Sequence, residues 1–161
     1  MTIKVLVLCT GNSARSILGE MLFNHLGQGR VEAYSAGSKP GGVVNPVAIE
    51  TLQGHGIPCA GARSKSWDEF GRPDAPQIDF IFTVCSNAAS EPCPIWPGHP
   101  TTAHWALPDP AHVEPMEARR IAFEQAYQSL HRRISAFLAL PLEALPRDEI
   151  VAAARRIHEE A

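Results

Sequence analysis

The chain has 161 residues, 45% of them apolar and 19% charged, which fits a globular protein of single-domain length. Its formal net charge of −3 argues against nucleic acid or an acidic membrane as a partner. No apolar run approaches the roughly 20 residues of a membrane span and no secretory signal precedes the first strand, so the expected location is the cytoplasm.

Strand and helix patterns alternate along the chain. Residues 3–8 (Ile3-Lys4-Val5-Leu6-Val7-Leu8) form the continuous apolar run of a central parallel strand. Leu18, Met21, Leu22 and Leu26 then recur at helical spacing, with Gly27 as the expected stop. Val31, Ala33 and Ser35 predict a short strand ending in Ser35-Ala36-Gly37. Asn45-Pro46 reads as an N-cap followed by proline at the first helical position, opening a helix through Val47, Ile49 and Leu52. After a turn-rich connector over residues 71–76, residues 78–84 predict a strong strand and residues 102–107 a weaker one. Phe123, Tyr127, Leu130, Ile134 and Phe137 form the buried stripe of a long amphipathic helix, and Ile150, Ala153, Ala154 and Ile157 that of a weaker terminal one. This order predicts an α/β fold: a three-layer sandwich with a central four-stranded parallel sheet and an extra C-terminal helix. Ligands of such sheets sit beyond the C-terminal ends of the strands, which is where Cys9 and Cys85 fall.

The loop after the first strand carries the strongest chemical signal. Cys9-Thr10-Gly11-Asn12-Ser13-Ala14-Arg15-Ser16 joins a strand to a helix. Backbone N–H groups of residues 10–16 and the helix N-terminus would point at a bound oxyanion. Arg15 offers a planar fork to two of its oxygens. The same positive field favours a Cys9 thiolate able to attack, and Ser16 can donate a hydrogen bond to the sulfur. The plainer alternative is a buried thiol at a strand end beside a loop that binds phosphate passively. Neither Gly-x4-Gly-Lys-Ser/Thr nor Gly-x-Gly-x2-Gly is present, so the nucleotide-binding loops fit poorly.

Four cysteines, at 9, 59, 85 and 93, are too few for a secreted disulfide scaffold. Cys85 sits at a strand end and Cys93 eight residues on, a serial arrangement that thiol–disulfide exchange could use. A zinc site of Cys85, Cys93, His99 and His104 is the rival reading, but its spacing is wider than usual, and no metal is expected. Cys59 reads as a bystander. Asp109, in Leu107-Pro108-Asp109-Pro110-Ala111, is either a turn former or a general acid.

Together these pieces resemble the low-molecular-weight protein tyrosine phosphatase superfamily, and within it the arsenate reductases built on that fold. The resemblance runs over residues 3–140. It rests on Cys9-x5-Arg15-Ser16, Ser35-Ala36-Gly37, Asn45-Pro46-x2-Ile49, Cys85, Cys93 and His104-Trp105-x3-Asp109-Pro110-Ala111. It implies a phosphatase-like (Rossmann-like) catalytic domain over residues 1–140. Residues 141–161 would be a helical extension of that domain, covering part of the core or mediating self-association, although a monomer is expected. Ala111 follows Asp109-Pro110 where a phosphatase of this family carries an aromatic residue, and Lys39-Pro40-Gly41-Gly42 lacks the aromatic wall of a phosphotyrosine site. Both departures favour a reductase, as do two cysteines for which hydrolysis has no use.

The implied reaction begins with Cys9 attacking arsenate held by the loop and Arg15, while Asp109 protonates the departing hydroxide. Cys85 then attacks the Cys9 sulfur, arsenite leaves, and Cys93 moves the disulfide to Cys85–Cys93. No tightly bound cofactor is implied. Reducing equivalents would come from thioredoxin, or from glutathione with glutaredoxin, and phosphate would compete with arsenate. A phosphatase with a regulatory Cys85/Cys93 pair and an arsenite-holding sensor are the alternatives. Some related reductases bind potassium near the loop through an acidic residue where this chain has Lys65. The Lys65 ammonium is expected to substitute for that cation and, with Ser35, to support the loop through Asn12. A solvent-exposed lysine is the alternative.

Overall fold

The computed structural model describes residues 2–84 and 101–160. Strand β1 (Ile3–Cys9) lies between β2 (Val31–Gly37) and β3 (Phe80–Thr83), and β4 (Thr101–His104) completes a parallel sheet in the order β2-β1-β3-β4. A strand with neighbours on both sides and layers on both faces has no solvent side, which is why Val5, Leu6, Val7 and Leu8 are all buried. The register sets Cys9 opposite Gly37 and Leu8 opposite Thr83, so the first loop leaves the sheet at its centre, between the ends of β2 and β3.

Helix α1 (Arg15–Gly27) returns from that loop and lies against β1 and β2. Side chains alternate across a strand, so Ser35 faces α1 while Tyr34 faces the other way, onto Phe70 of a 3-10 turn (Trp67–Phe70) at a ring distance of 5.5 Å. The sheet is therefore covered on both faces. The stop of α1 differs from expectation. Gly27 is still helical, and the left-handed residue is Gln28 at φ 46°. Gly27 serves close packing instead, since a Cβ there would lie 3.1 Å from that of Val31.

Helix α2 (Pro46–Gly54) starts as its sequence dictates, with the Asn45 side chain accepting from the Val47 N–H at 2.9 Å. The long helix α3 (Met116–Leu138) begins a full two turns before its first buried aromatic, Phe123, because its N-terminal residues lie at the surface. It contacts α1, α2 and the terminal helix α4 (Arg147–Glu160). Phe82 of β3 lies 4.3 Å from Trp105, 5.2 Å from Phe137 and 5.3 Å from Phe23, so one aromatic cluster joins α1, β3, α3 and the exit of β4.

The fourth strand is shorter than the pattern of residues 102–107 suggests. It ends at His104, after which Trp105 N–H still donates to Thr83 O and Leu107 N–H to Val84 O. The chain thus leaves the ladder while staying anchored to the end of β3. Residues of α4 belong to the same core: Ile150, Val151 and Ala154 are buried, and the Trp105 indole donates to Ala154 O at 2.8 Å. Among the described residues, no helix is long and apolar enough to cross a membrane.

Candidate active site

The loop after β1 is turned inside out by its neighbours. Thr10 O accepts from Lys39 N, Gly11 O from Gly41 N and from the Ser64 hydroxyl, and Ser13 O from Asn45 N. In a trans peptide the N–H points opposite to the C=O. Tying these carbonyls outward therefore turns the N–H groups of Gly11, Asn12 and Ala14 toward the centre of the loop, where the Cys9 sulfur lies. Asn12 N–H reaches Cys9 Sγ at 3.2 Å. Asn12 holds the turn with a positive φ of 46°, which an Asn tolerates better than most residues.

A second hydrogen bond reaches the sulfur from Ser16, whose Oγ lies 2.9 Å away. Its direction follows from the partner on the other side. The Asn12 amide donates to Ser16 Oγ at 2.8 Å, so the Ser16 proton is left to point at Cys9. Both groups stabilise a thiolate more than a thiol. Cys9, Asn12 and Ser16 are all buried, so water does not weaken this chain.

Arg15 leans across the mouth of the loop. Its Nη1 donates to Leu107 O at 2.9 Å, and Nη2 stands 3.8 Å from Asp109 Oδ2. Asp109 is a turn former, its Oδ1 accepting from the Ala111 N–H at 2.9 Å, and this leaves Oδ2 facing Arg15. Cys9, Thr10, Gly11, Ser13, Ala14, Arg15, Asp109, Ala111 and His112 line a cavity of about 280 Å³. A nucleophilic sulfur, inward amides, a guanidinium and a carboxyl over one small cavity can bind a tetrahedral oxyanion, attack its centre and supply a proton to the departing oxygen.

Beneath the loop lies a buried charge pair. Lys65 is 7% exposed, and its Nζ stands 3.7 Å from Glu20 Oε1, 3.4 Å from Ser35 Oγ and 3.1 Å from Arg63 O. Ser35 in turn donates to Glu20. Lys65 is thus not the surface side chain that was the alternative. Its link to Asn12 also runs differently from expectation, because the Lys65 main-chain N–H, not the ammonium, donates to Asn12 Oδ1 at 2.8 Å. Burial pushes Glu20 up and Lys65 down from their ordinary values, and each offsets this for the other. These oxygens already surround a cation of the protein's own, so they do not fit a potassium ion as well.

Glu20 escaped the sequence reading. Its one signal was a carboxylate four residues after Ser16, on the helix face that turns toward the sheet. Leu107 O, the anchor of Arg15, carried no signal. Cys85 and Cys93 lie outside the described residues, as does His99 of the zinc alternative; His104 Nδ1 is 2.6 Å from Thr83 Oγ1. Among the described residues, no three His, Cys, Asp or Glu side chains come together as a metal site. Cys59 is half-buried, with its thiol pushed up by burial, and stands apart from the cavity.

Residues 4–150 match the low molecular weight phosphotyrosine protein phosphatase family. An arsenate reductase of Shouchella clausii is 34% identical over 131 residues, covering 81% of this chain and 91% of that protein. The solved structure of an arsenate reductase from Archaeoglobus fulgidus is 26% identical, covers 81% of this chain and 98% of its own, and superposes with a TM-score of 0.60. A thioredoxin-dependent arsenate reductase of Corynebacterium glutamicum is 22% identical, with a TM-score of 0.57, over 83% of this chain and 62% of that one. At that identity it speaks for the fold alone.

Proposed function

The chain belongs to the low molecular weight phosphotyrosine protein phosphatase family, and we propose that within it this protein is an arsenate reductase. The observation that carries the reading is the Cys9 sulfur, held by Asn12 and Ser16 at the floor of a small cavity where Ala111 stands at the position after Asp109-Pro110, in place of a phosphatase's aromatic residue. Such a cavity suits a compact tetrahedral oxyanion better than the ring of a phosphotyrosine.

In this mechanism the inward N–H groups and Arg15 hold three arsenate oxygens, and the Cys9 thiolate attacks arsenic. Asp109 gives its proton to the oxygen that leaves as water, which forms a Cys9–As(V) adduct. Cys85 then attacks the Cys9 sulfur. The S–As electron pair stays with arsenic, which departs as arsenite, and the two sulfurs that have given up those two electrons are left joined as a Cys9–Cys85 disulfide. Cys93 displaces Cys9 from Cys85, and the resulting Cys85–Cys93 disulfide is reduced by a dithiol donor of the thioredoxin type. Asn12, Ser35 and Lys65 support the loop, with Glu20 as the counter-ion of Lys65.

Steady-state NADPH consumption with arsenate, thioredoxin and thioredoxin reductase tests this. Arsenate-dependent consumption that is lost in Cys93→Ser supports the reductase and its relay. Consumption only with glutathione and glutaredoxin changes the donor, and silence with both sinks the reading.

A further inference from the structure

A second cavity, of about 520 Å³, lies behind the loop that carries Asp109. One wall is the chain from Ala106 to Val113 and the other is a face of α3 that includes Ala118, Ile121, Ala122 and Ala126. That lining is apolar, with two polar groups of α3, Gln125 and Ser129, on the same wall. The volume is that of a small-molecule site rather than of a packing defect.

Arg133 also lines this cavity. It is 8% exposed, and among the described residues its Nε and Nη1 are buried without any hydrogen-bond partner. Among the described residues no acidic side chain pairs with it, whereas the buried Lys65 has Glu20. Burial and the neighbouring Arg132 push its guanidinium downward, as they must for a cation lacking a counter-ion. An arginine out of water and without an acceptor is costly, and its planar fork is shaped for a carboxylate or phosphate.

We propose that this groove is a second ligand site, which takes a small organic carboxylate: the carboxylate on Arg133 and an apolar body against Ile121, Ala122 and Val113. A monoanion is favoured over a phosphate dianion because Arg133, the one cation among the described residues of this lining, balances a single negative charge. The site does not depend on which oxyanion the Cys9 cavity processes. It does touch that cavity from behind: Asp109 lines both, with Oδ2 facing Arg15, and Leu107 of the groove wall holds Arg15 through its carbonyl. Occupancy would fix the loop that aims both groups.

The test uses 3-phenylpropionate as the probe, with 3-phenylpropanol and phenyl phosphate beside it, followed by amide NMR shifts of the whole protein. The expected result is saturable binding of 3-phenylpropionate with shifts at residues 106–113 and 118–133, and at least tenfold weaker binding of the alcohol. Arg133→Met should cut the affinity for the carboxylate to that of the alcohol. Ile121→Glu offers an independent check, because Ile121 is 60% exposed and its replacement leaves the core intact while placing a like charge in the groove. It should weaken 3-phenylpropionate more than the alcohol. Equal binding of carboxylate and alcohol, a preference for phenyl phosphate at these same amides, or no saturation up to about 10 mM would each overturn the proposal.

Discussion

Lys65→Met removes the ammonium beneath the anion-binding loop while keeping the length of the side chain. In the intact protein the Lys65 and Glu20 charges stand 3.7 Å apart with both side chains nearly out of solvent. At an effective dielectric constant of about 20 this separation corresponds to roughly 4 kcal/mol of attraction, set against the desolvation of both ions. The substitution strands the Glu20 carboxylate. Its escape is to take up a proton, which from the ordinary value of 4.5 costs about 3 kcal/mol at pH 7. The expected destabilisation at pH 7 is therefore about 3 kcal/mol, with protonation as the cap.

The cap has a pH signature. A carboxyl whose folded-state pKa lies above its unfolded value stabilises at low pH, and that contribution is lost as pH rises. The deficit of Lys65→Met should thus shrink on acidification, by up to about 1.4 kcal/mol per unit between pH 7 and pH 5. Urea melts of both proteins at pH 5, 6 and 7 measure it. Glu20→Gln combined with Lys65→Met should recover much of the loss, because no buried charge is left alone. A deficit below about 1 kcal/mol at pH 7, or one that ignores pH, would refute the reasoning.

Ser16→Ala deletes the hydroxyl that points at Cys9 Sγ and should raise the midpoint of thiolate formation, followed by ultraviolet absorbance, by about one pH unit. Gly37→Ala puts a Cβ 2.5 Å from Thr10 O, a main-chain atom that cannot step aside. It should cost about 2 kcal/mol or more in urea melts and weaken phosphate binding by calorimetry, since the Thr10 carbonyl it displaces is one of those whose outward bonds turn the loop amides inward. Trp105→Phe loses the indole bond to Ala154 O and should cost about 1–2 kcal/mol in the same melts. An unchanged midpoint there would mean that α4 does not anchor the exit of β4.

The parts of this protein that were legible in its sequence are those that depend on neighbours along the chain. The apolar run of β1 announces a strand buried on both faces. Asn45-Pro46 announces a helix start because cap and first turn are adjacent. Cys9 and Arg15 are tied by one short loop, so their spacing alone brings nucleophile and guanidinium together. The Ser16 hydrogen bond follows from the same few residues.

What the sequence left open depends on residues brought together from far apart. Gly27 looked like a helix stop, yet its role is set by Val31 across the turn, and the left-handed position falls to Gln28. The length of β4 was overestimated because Trp105 and Leu107 bond to the end of β3 without continuing the ladder. Lys65 could have been a surface side chain; only the approach of the 63–66 segment to the ends of β2 and α1 buries it against Ser35 and Glu20. Arg15 is aimed by a carbonyl 92 residues away, which has no side-chain identity to read. The orphaned guanidinium of Arg133 is likewise invisible in a helical pattern, where an arginine between Leu130 and Phe137 looks like any other. Spacing along the chain determined which groups could react. Packing between distant segments decided their charge environment, because burial and counter-ions are properties of the fold and not of the order of residues.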